Sequence, residues 1–359
     1  MFFLHNNKRF WLMVLAFSIV VFFCVIGYII YFLKIDSTVV DSTPLIDVVS
    51  NNIEEMPSNI DESKICEGCV RRDIDGVFVE LDKKSLYPYA VIIDNNQSAR
   101  PQHGLGYANL VYEVEAEGGI TRYFAIFANN QEVLKIGPVR SVRPYFIEIA
   151  KEYSALIAHV GGSPQALAII LKDGVFDINE FYNEHYFWRD NSRNAPYNVY
   201  TSSEKINDYL GLKNVQEGKF LTWKFKEDGK RTVASNPIKI NYQADKYTVE
   251  WKYDSEANAY TRYLDGSEHL DEDGVALQAK NVVIQYLKVS VTDNEGRLAI
   301  SMIGYGDALV CLDGACSRAV WKKPSSQART RYYIDEDEIE FNAGKIWINI
   351  VRPDYKVEY

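Results

Sequence analysis

The sequence predicts an α+β protein: an N-terminal transmembrane helix, an α/β layered domain, then a β-rich C-terminal domain. Three observations carry that prediction. A charge-free apolar run spans Phe10 to Leu33, strand-like and helix-like segments alternate from Leu86 to Val215, and beyond that point only short alternating segments between turn signals occur. At 359 residues and 47% hydrophobic content, the chain can bury two ordinary cores besides a membrane segment. Its net charge of -10 supplies no basic stripe for phosphate backbones, so no nucleic-acid partner is expected.

Residues 1–9 read as a cytoplasmic tail and 10–33, "FWLMVLAFSIVVFFCVIGYIIYFL", as a transmembrane helix. The run is long enough, at about 1.5 Å per residue, to cross a hydrocarbon core of roughly 30 Å. Lys8 and Arg9 precede it, while Lys34 alone follows before an acidic stretch, so the positive-inside bias places the C-terminal domains outside the cytoplasm. The apolar run is too long for a cleaved signal peptide and lacks a small-x-small cleavage site. Residues 34–85 read as an acidic linker, with "DSTP", "SNN" and "MPSN".

The first folded domain is expected over 86–215. "YPYAVIID", "ANLVYEVEAE" and "TRYFAIFA" have the length and the β-branched or alternating character of strands. In "RPYFIEIAKEY", Pro144 at a first helical position and Phe146, Ile149 and Tyr153 on one face predict a helix. "ALIAHV" predicts a buried strand, and "GGSPQALAIILKDG" a helix with Ser163 as N-cap and Gly174 beyond its end. A third helix is expected from "TSSE", where Thr201 and Glu204 have capping-box spacing, to Gly211.

The second domain is expected over 216–359. "PIKINY", "YTVEWKYD", "AYTRYLDG", "NVVIQYLKVSV", "ALVCLDGACSRAVWKK", "TRYYID" and "KIWINIV" predict hairpins, with "DNEG" and "LDGA" as turn centres. In an exported protein the cysteines outside the membrane are expected to pair locally, Cys66 with Cys69 and Cys311 with Cys316. The latter two would face each other across strands.

Chemistry is expected in the polar loops of the first domain. If those loops meet at one edge of the layered sheet, Arg100, Arg122, Arg140, Arg143 and Arg189 form a cationic side. Glu113, Glu117 and Asp190 form the acidic side, and the even spacing of the two glutamates puts them on one strand face. Such a set can hold a carboxylate, a phosphate or an acidic sugar through bidentate arginines, while Glu113, Glu117 or His159 handles a proton. The same set can equally form an internal ion-pair network. Gly161, Gly162 and Ser163 stand before a helix N-terminus, where backbone N–H groups can receive an anion. "HVGGS" has the outline of a nucleophile elbow, but Pro164 and Gln165 follow the serine, as at an ordinary N-cap. His103, His185 and His269 lack metal-ligand spacing, and "HLDEDG" reads as a solvated turn. No metal and no cofactor are expected.

"ARPQHGL", "VYEVEAEGGITRYFAIF", "IGPVRSVRPYFIEIAKEY", "HVGGSPQA" and "FWRDNSRNAPYNVYTS" resemble the YerB-like family of bacterial envelope proteins, grouped as lipoproteins of unknown function. "NVVIQY", "GYGDALV" and "KIWINIV" resemble that family's companion C-terminal domain. The resemblance implies a bacterial cell-surface protein of two domains and carries no settled activity. Three departures from the family pattern stand out. Tyr197 occupies a position where histidine is usual, a transmembrane helix replaces the lipidated cysteine, and "CEGC" occupies the usual "PLTG" lead-in.

The expected function is therefore that of a membrane-anchored extracytoplasmic protein binding an anionic or carbohydrate wall ligand through an Arg/Glu-lined pocket. One alternative is a wall-acting hydrolase or transferase with Glu117 or Glu113 as general acid or base. The other is a protein-interaction scaffold regulating wall enzymes. The expected partners are the membrane and a wall polymer or wall enzyme.

Overall fold

The computed structural model describes residues 68–128, 131–229, 235–242 and 247–359. The expected tail, the membrane helix over 10–33 and the linker up to residue 67 lie outside the described residues, as does Cys66. No described helix is long and apolar enough to cross a membrane.

In chain order the strands that organise the fold are β1 (Tyr89–Asp94), β2 (Leu110–Glu115), β3 (Thr121–Phe127), β4 (Leu156–His159), β5 (Asp177–Asn179), β6 (Ile238–Asn241) and β7 (Thr248–Asp254). They continue with β8 (Ala259–Leu264), β9 (Asn281–Tyr286), β10 (Gly304–Leu312), β11 (Ala315–Lys323), β12 (Arg331–Ile334), β13 (Asp337–Glu338) and β14 (Ile346–Val351). Among the described residues the α-helices are α1 (Pro144–Tyr153), α2 (Pro164–Asp173) and α3 (Ser203–Leu212). All three precede residue 216, and the rest of the described chain is β-rich, so the fold is α+β with few helices.

One sheet of eleven strands crosses both halves of the sequence, in the order β13-β12-β11-β10-β9-β14-β2-β3-β1-β4-β5. The halves meet where β14 pairs in parallel with β2, from Ile346↔Leu110 to Ile350↔Val114. Strands β1, β4 and β5 are parallel to one another, while β3 lies antiparallel between β2 and β1. Every residue of β1, β2, β3 and β14 is buried, because both faces of the sheet are covered. Helix α1 packs on one face through residues such as Phe146, Ile149 and Tyr153. On the other face lie α3 and a second, antiparallel sheet containing β6, β7 and β8, whose alternating Ile238, Ile240, Val249 and Trp251 point to the shared core.

Folded structure begins before the expected boundary at Leu86. Val70–Arg71 pairs with Phe78–Val79. Ile74 is buried, and the Asp75 carboxylate accepts from Asn109 Nδ2 at 2.7 Å and from Arg72. The acidity that suggests a linker throughout is here neutralised pairwise. Helix α3 is capped by Ser202, whose Oγ accepts from Lys205 N at 3.2 Å, not by Thr201. The Thr201 hydroxyl instead donates to Tyr186 O. Asp313 and Gly314, both with positive φ, make the two-residue turn between β10 and β11, and Cys311 and Cys316 form a disulfide across it.

Candidate functional site

The stretch "IGPVRSVRPYF" is held along the C-terminal ends of β1 and β4. Asp94 N donates to Pro138 O at 3.0 Å, Arg140 N to Ile92 O at 2.8 Å, Val139 N to Val199 O at 2.7 Å and Val142 N to Gly161 O at 3.1 Å. These bonds fix Arg140 and Arg143 at the edge where parallel strands of layered sheets build sites. Arg143 is the N-cap residue of α1 and contributes no side-chain cap, so the first turn keeps its positive end toward the same region.

Three arginines gather there against two carboxylates. Arg140 Nε lies 2.5 Å from Asp94 Oδ2, and its guanidinium sits 5.5 Å from the centre of the Tyr197 ring. Arg122, opposite Asp94 in the β1–β3 register, places Nη2 at 3.2 Å from Glu117 Oε2 and donates from Nη1 to Ser141 O. Arg143 donates from Nε to Glu117 Oε1 and from Nη1 to Val142 O. The side chains are 9% exposed for Arg122, 22% for Arg140 and 12% for Arg143, so the cluster is largely desolvated yet open at Arg140. Burial pushes the Glu117 carboxyl up, but the hydrogen bond from Arg143 and the charges of Arg122 and Arg143 outweigh it, and the net shift is below the ordinary carboxylate range. Burial, reinforced by Arg143, lowers the Arg122 guanidinium. Beside them the buried Tyr145 hydroxyl has no hydrogen-bond partner, and burial raises its pKa while Arg122 opposes the rise.

The other expected site residues go elsewhere. Arg100 bonds Asn95 O and lies 3.0 Å from Asp265 of the second half, and Arg189 lies 2.8 Å from Glu180. Asp190 pairs with Lys135 at 2.5 Å and accepts from Ser192, so it is not a partner of the cluster. Five arginines therefore do not converge; three do. Glu113 and Glu117 do not share a face, because β2 ends at Glu115 and Gly118 and Gly119 turn the chain with positive φ. Glu113 is instead fully buried, 2.8 Å from Arg262 Nη2 and bonded by Thr121 Oγ1, where no solvent-borne substrate reaches it. His159 is equally buried, its ring nitrogens 2.7 Å from Gly161 O and 2.9 Å from Asp177 Oδ2. The anion-receiving turn expected at Gly161 to Ser163 is also occupied from within. Gly161 N donates to Asn179 Oδ1, Ser163 N donates to Val142 O, Gly162 abuts Val142, and Ser163 Oγ caps α2 by accepting from Ala166 N.

Asp94 and Tyr145 belong to the cluster and escape the sequence reading. A carboxylate closing the apolar run "YAVIID" was the available signal for the first, since strand C-termini open into site edges. Nothing local distinguishes Tyr145 from a core aromatic. Among the described residues, no group of three or more His, Cys, Asp or Glu side chains is placed to hold a metal ion.

Comparison with known proteins agrees with this architecture. Residues 76–216 match the family described as "Protein of unknown function (DUF3048) N-terminal domain", and residues 238–348 match its C-terminal domain. The chain is 32% identical over 292 residues to the Bacillus subtilis (strain 168) protein named "Putative lipoprotein YerB", covering 79% of this chain and 87% of that protein. The crystal structure of YerB from Bacillus subtilis superposes with a TM-score of 0.72 at 30% identity, covering 81% of this chain and all of that one. The chain thus belongs to the two-domain DUF3048 family, whose function is unknown and whose members include YerB.

Proposed function

We propose that this protein is anchored at the outer face of a bacterial membrane and binds an anionic or carbohydrate ligand of the cell wall at Arg122, Arg140 and Arg143. The observation that carries the reading is the charge count at the C-terminal strand edge: three guanidiniums meet only two carboxylates, Asp94 and Glu117. A carboxylate or phosphate on the ligand supplies the missing negative charge, with the uncapped first turn of α1 and the unpartnered Tyr145 hydroxyl beside it. The apolar run over 10–33 and the lipoprotein description of the YerB relative support the membrane location. Binding fits better than hydrolysis or group transfer. Glu117 is held down by its arginines, which makes it a poor general acid at neutral pH, and both its oxygens already accept from Arg122 and Arg143, which makes it a weak base, while Glu113 is sealed in the core.

The test is calorimetric titration of the purified full chain with sugar–peptide fragments of digested wall. Saturable binding is expected, weakened at least about tenfold in Arg140→Ala and in Arg143→Ala, as for loss of a charge-assisted contact. Unchanged affinity in both variants sinks the assignment. New products found by mass spectrometry after incubation with wall polymer would make the protein an enzyme instead.

A further inference from the structure

A second surface, far along the sheet from the arginine cluster, has the chemistry of a binding groove. In the register of β10, β11 and β12, Tyr305 lies opposite Lys322 and Lys322 opposite Arg331, while two positions on Asp307 lies opposite Val320 and Val320 opposite Tyr333. Opposed residues share a face and alternate residues return to it, so these six project together. The intervening side chains turn the other way, as Lys323 does in reaching Glu152 of α1 at 2.7 Å. The shared face is open: Tyr305 is 82% exposed and Val320 37%. Three cavities of about 500, 890 and 360 Å³ border it, the first two meeting at Gly304 and Tyr305 and the last two at Tyr286 and Asp307, and the second also reaches round the strand end to Gly306 and Trp321.

The lining is aromatic and cationic in a chain whose net charge is -10. Lys288, Lys322, Lys356, Arg318, Arg329 and Arg331 border the groove, against Asp307 as the lining carboxylate. Glu338 and Glu358 offset Arg331 and Lys356, which leaves the balance positive. Arg329, at the apolar end, is 2% exposed, donates from Nε to Leu221 O and stacks its guanidinium 3.6 Å from the centre of the Tyr153 ring and 4.7 Å from that of the Trp223 ring in the α1-side core, so the open positive charge of the groove comes from the other five. Tyr305, Tyr333, Tyr286 and Tyr359 supply rings, and Lys322 Nζ sits 4.6 Å from the centre of the Tyr333 ring.

A pyranose has an apolar C–H face that stacks on a tyrosine and a rim of hydroxyls that needs donors and acceptors, which this alternation of rings with Lys, Arg, Asp and Ser301 provides. A strand-adding peptide would pair with the open run of β10 at Gly304–Asp307, beyond the end of β9, and would leave Lys322, Arg331 and Tyr333 on the neighbouring strands unused, whereas a glycan lying across the face engages them. We propose that the groove over β10–β12 binds an acidic glycan, a chain of pyranose rings bearing carboxylates, independently of the arginine cluster.

The purified full chain is titrated by calorimetry with three probes: a hyaluronan hexasaccharide, the neutral N-acetylglucosamine hexamer, and a polyglutamate peptide of matching charge. The acidic hexasaccharide should bind saturably, at least about tenfold more tightly than either other probe. Tyr305→Ala should weaken it at least about tenfold without lowering the melting temperature, since the ring is solvent-exposed, and Tyr305→Phe should retain it. Absence of binding overturns the proposal. So does equal binding of polyglutamate, which would reduce the groove to a charge patch, or equal binding of the neutral hexamer. Affinity lost in Arg143→Ala but unchanged in Tyr305→Ala would move the glycan to the arginine cluster and overturn it as well.

Discussion

Asp271 shows how burial divides residues that look alike in sequence. In "HLDEDG" it and Asp273 both read as members of a solvated turn. The fold leaves Asp273 outside, bonded by Tyr107 Oη at 2.5 Å, but presses Asp271 under the 105–107 turn, where its Oδ2 accepts from Gly106 N at 2.8 Å. Burial raises the Asp271 carboxyl to about 6, against the Gly106 hydrogen bond and with help from Asp273. The folded chain then holds this proton more tightly than the unfolded chain, whose ordinary value is 3.8. Its contribution to stability is full below that value and is lost as pH rises through about 6. The difference amounts to about 3 kcal/mol at most. Asp271→Asn keeps an acceptor for Gly106 without the charge, so it should be relatively more stable than the parent at pH 7 than at pH 4. Urea unfolding at the two pH values measures this, and a stability difference between the two proteins that does not change with pH would refute it. No sequence pattern carried this signal, because it depends on a residue more than a hundred positions away.

At the scale of elements, most of the first half was legible. Pro144 and Ser163 mark helix starts, Gly174 closes α2 in a left-handed conformation, and the apolar runs became fully buried strands. The extended segment before α1 was less legible. It reads only as a bend, yet it is tied by backbone bonds to β1, to the turn after β4 and to Val199. Gly137 makes that possible. Its φ is +148, and a Cβ there would stand 2.8 Å from Tyr200 Cδ1 and 2.9 Å from both Val139 N and Val199 O. Two of these neighbours are backbone atoms in hydrogen bonds and have little room to yield. Gly137→Ala should therefore cost about 1–3 kcal/mol in urea unfolding, the range of overpacking in a filled site. It should also weaken ligand binding at Arg140 and Arg143, which hang from the same segment. An alanine variant matching the parent in both stability and binding would show that this segment does not position the arginines.

The organisation of the whole molecule was the hardest feature to read, because it rests on contacts between segments more than a hundred residues apart. Strand periodicity identified "ANLVYEVEAE" and "KIWINIV" separately, and nothing in either announces that β2 and β14 lie side by side in one sheet. Nor does "AYTRYLDG" announce that Arg262 crosses to Glu113 in the core. Around that pair the Arg262 guanidinium also contacts His269, whose other ring nitrogen lies 2.9 Å from Gln102 Oε1, so buried polar groups from both halves pair with one another. Burial and Arg262 keep the His269 imidazole well below its ordinary pKa, consistent with a neutral ring between these partners. The two family domains are thus successive in sequence but incomplete apart. A chain ending at residue 229 would uncover the β14 side of β2, deprive Glu113 of its buried counter-charge, and leave Trp223 without Phe341. Removing one partner of a buried ion pair alone costs roughly 3–5 kcal/mol, and the exposed strand edge adds a template for aggregation. Residues 68–229 expressed alone should show no cooperative urea transition by tryptophan fluorescence, and co-expression with residues 230–359 should restore one. A sharp transition from the first fragment by itself would mean that the two domains fold independently and that the shared sheet is only a docking contact.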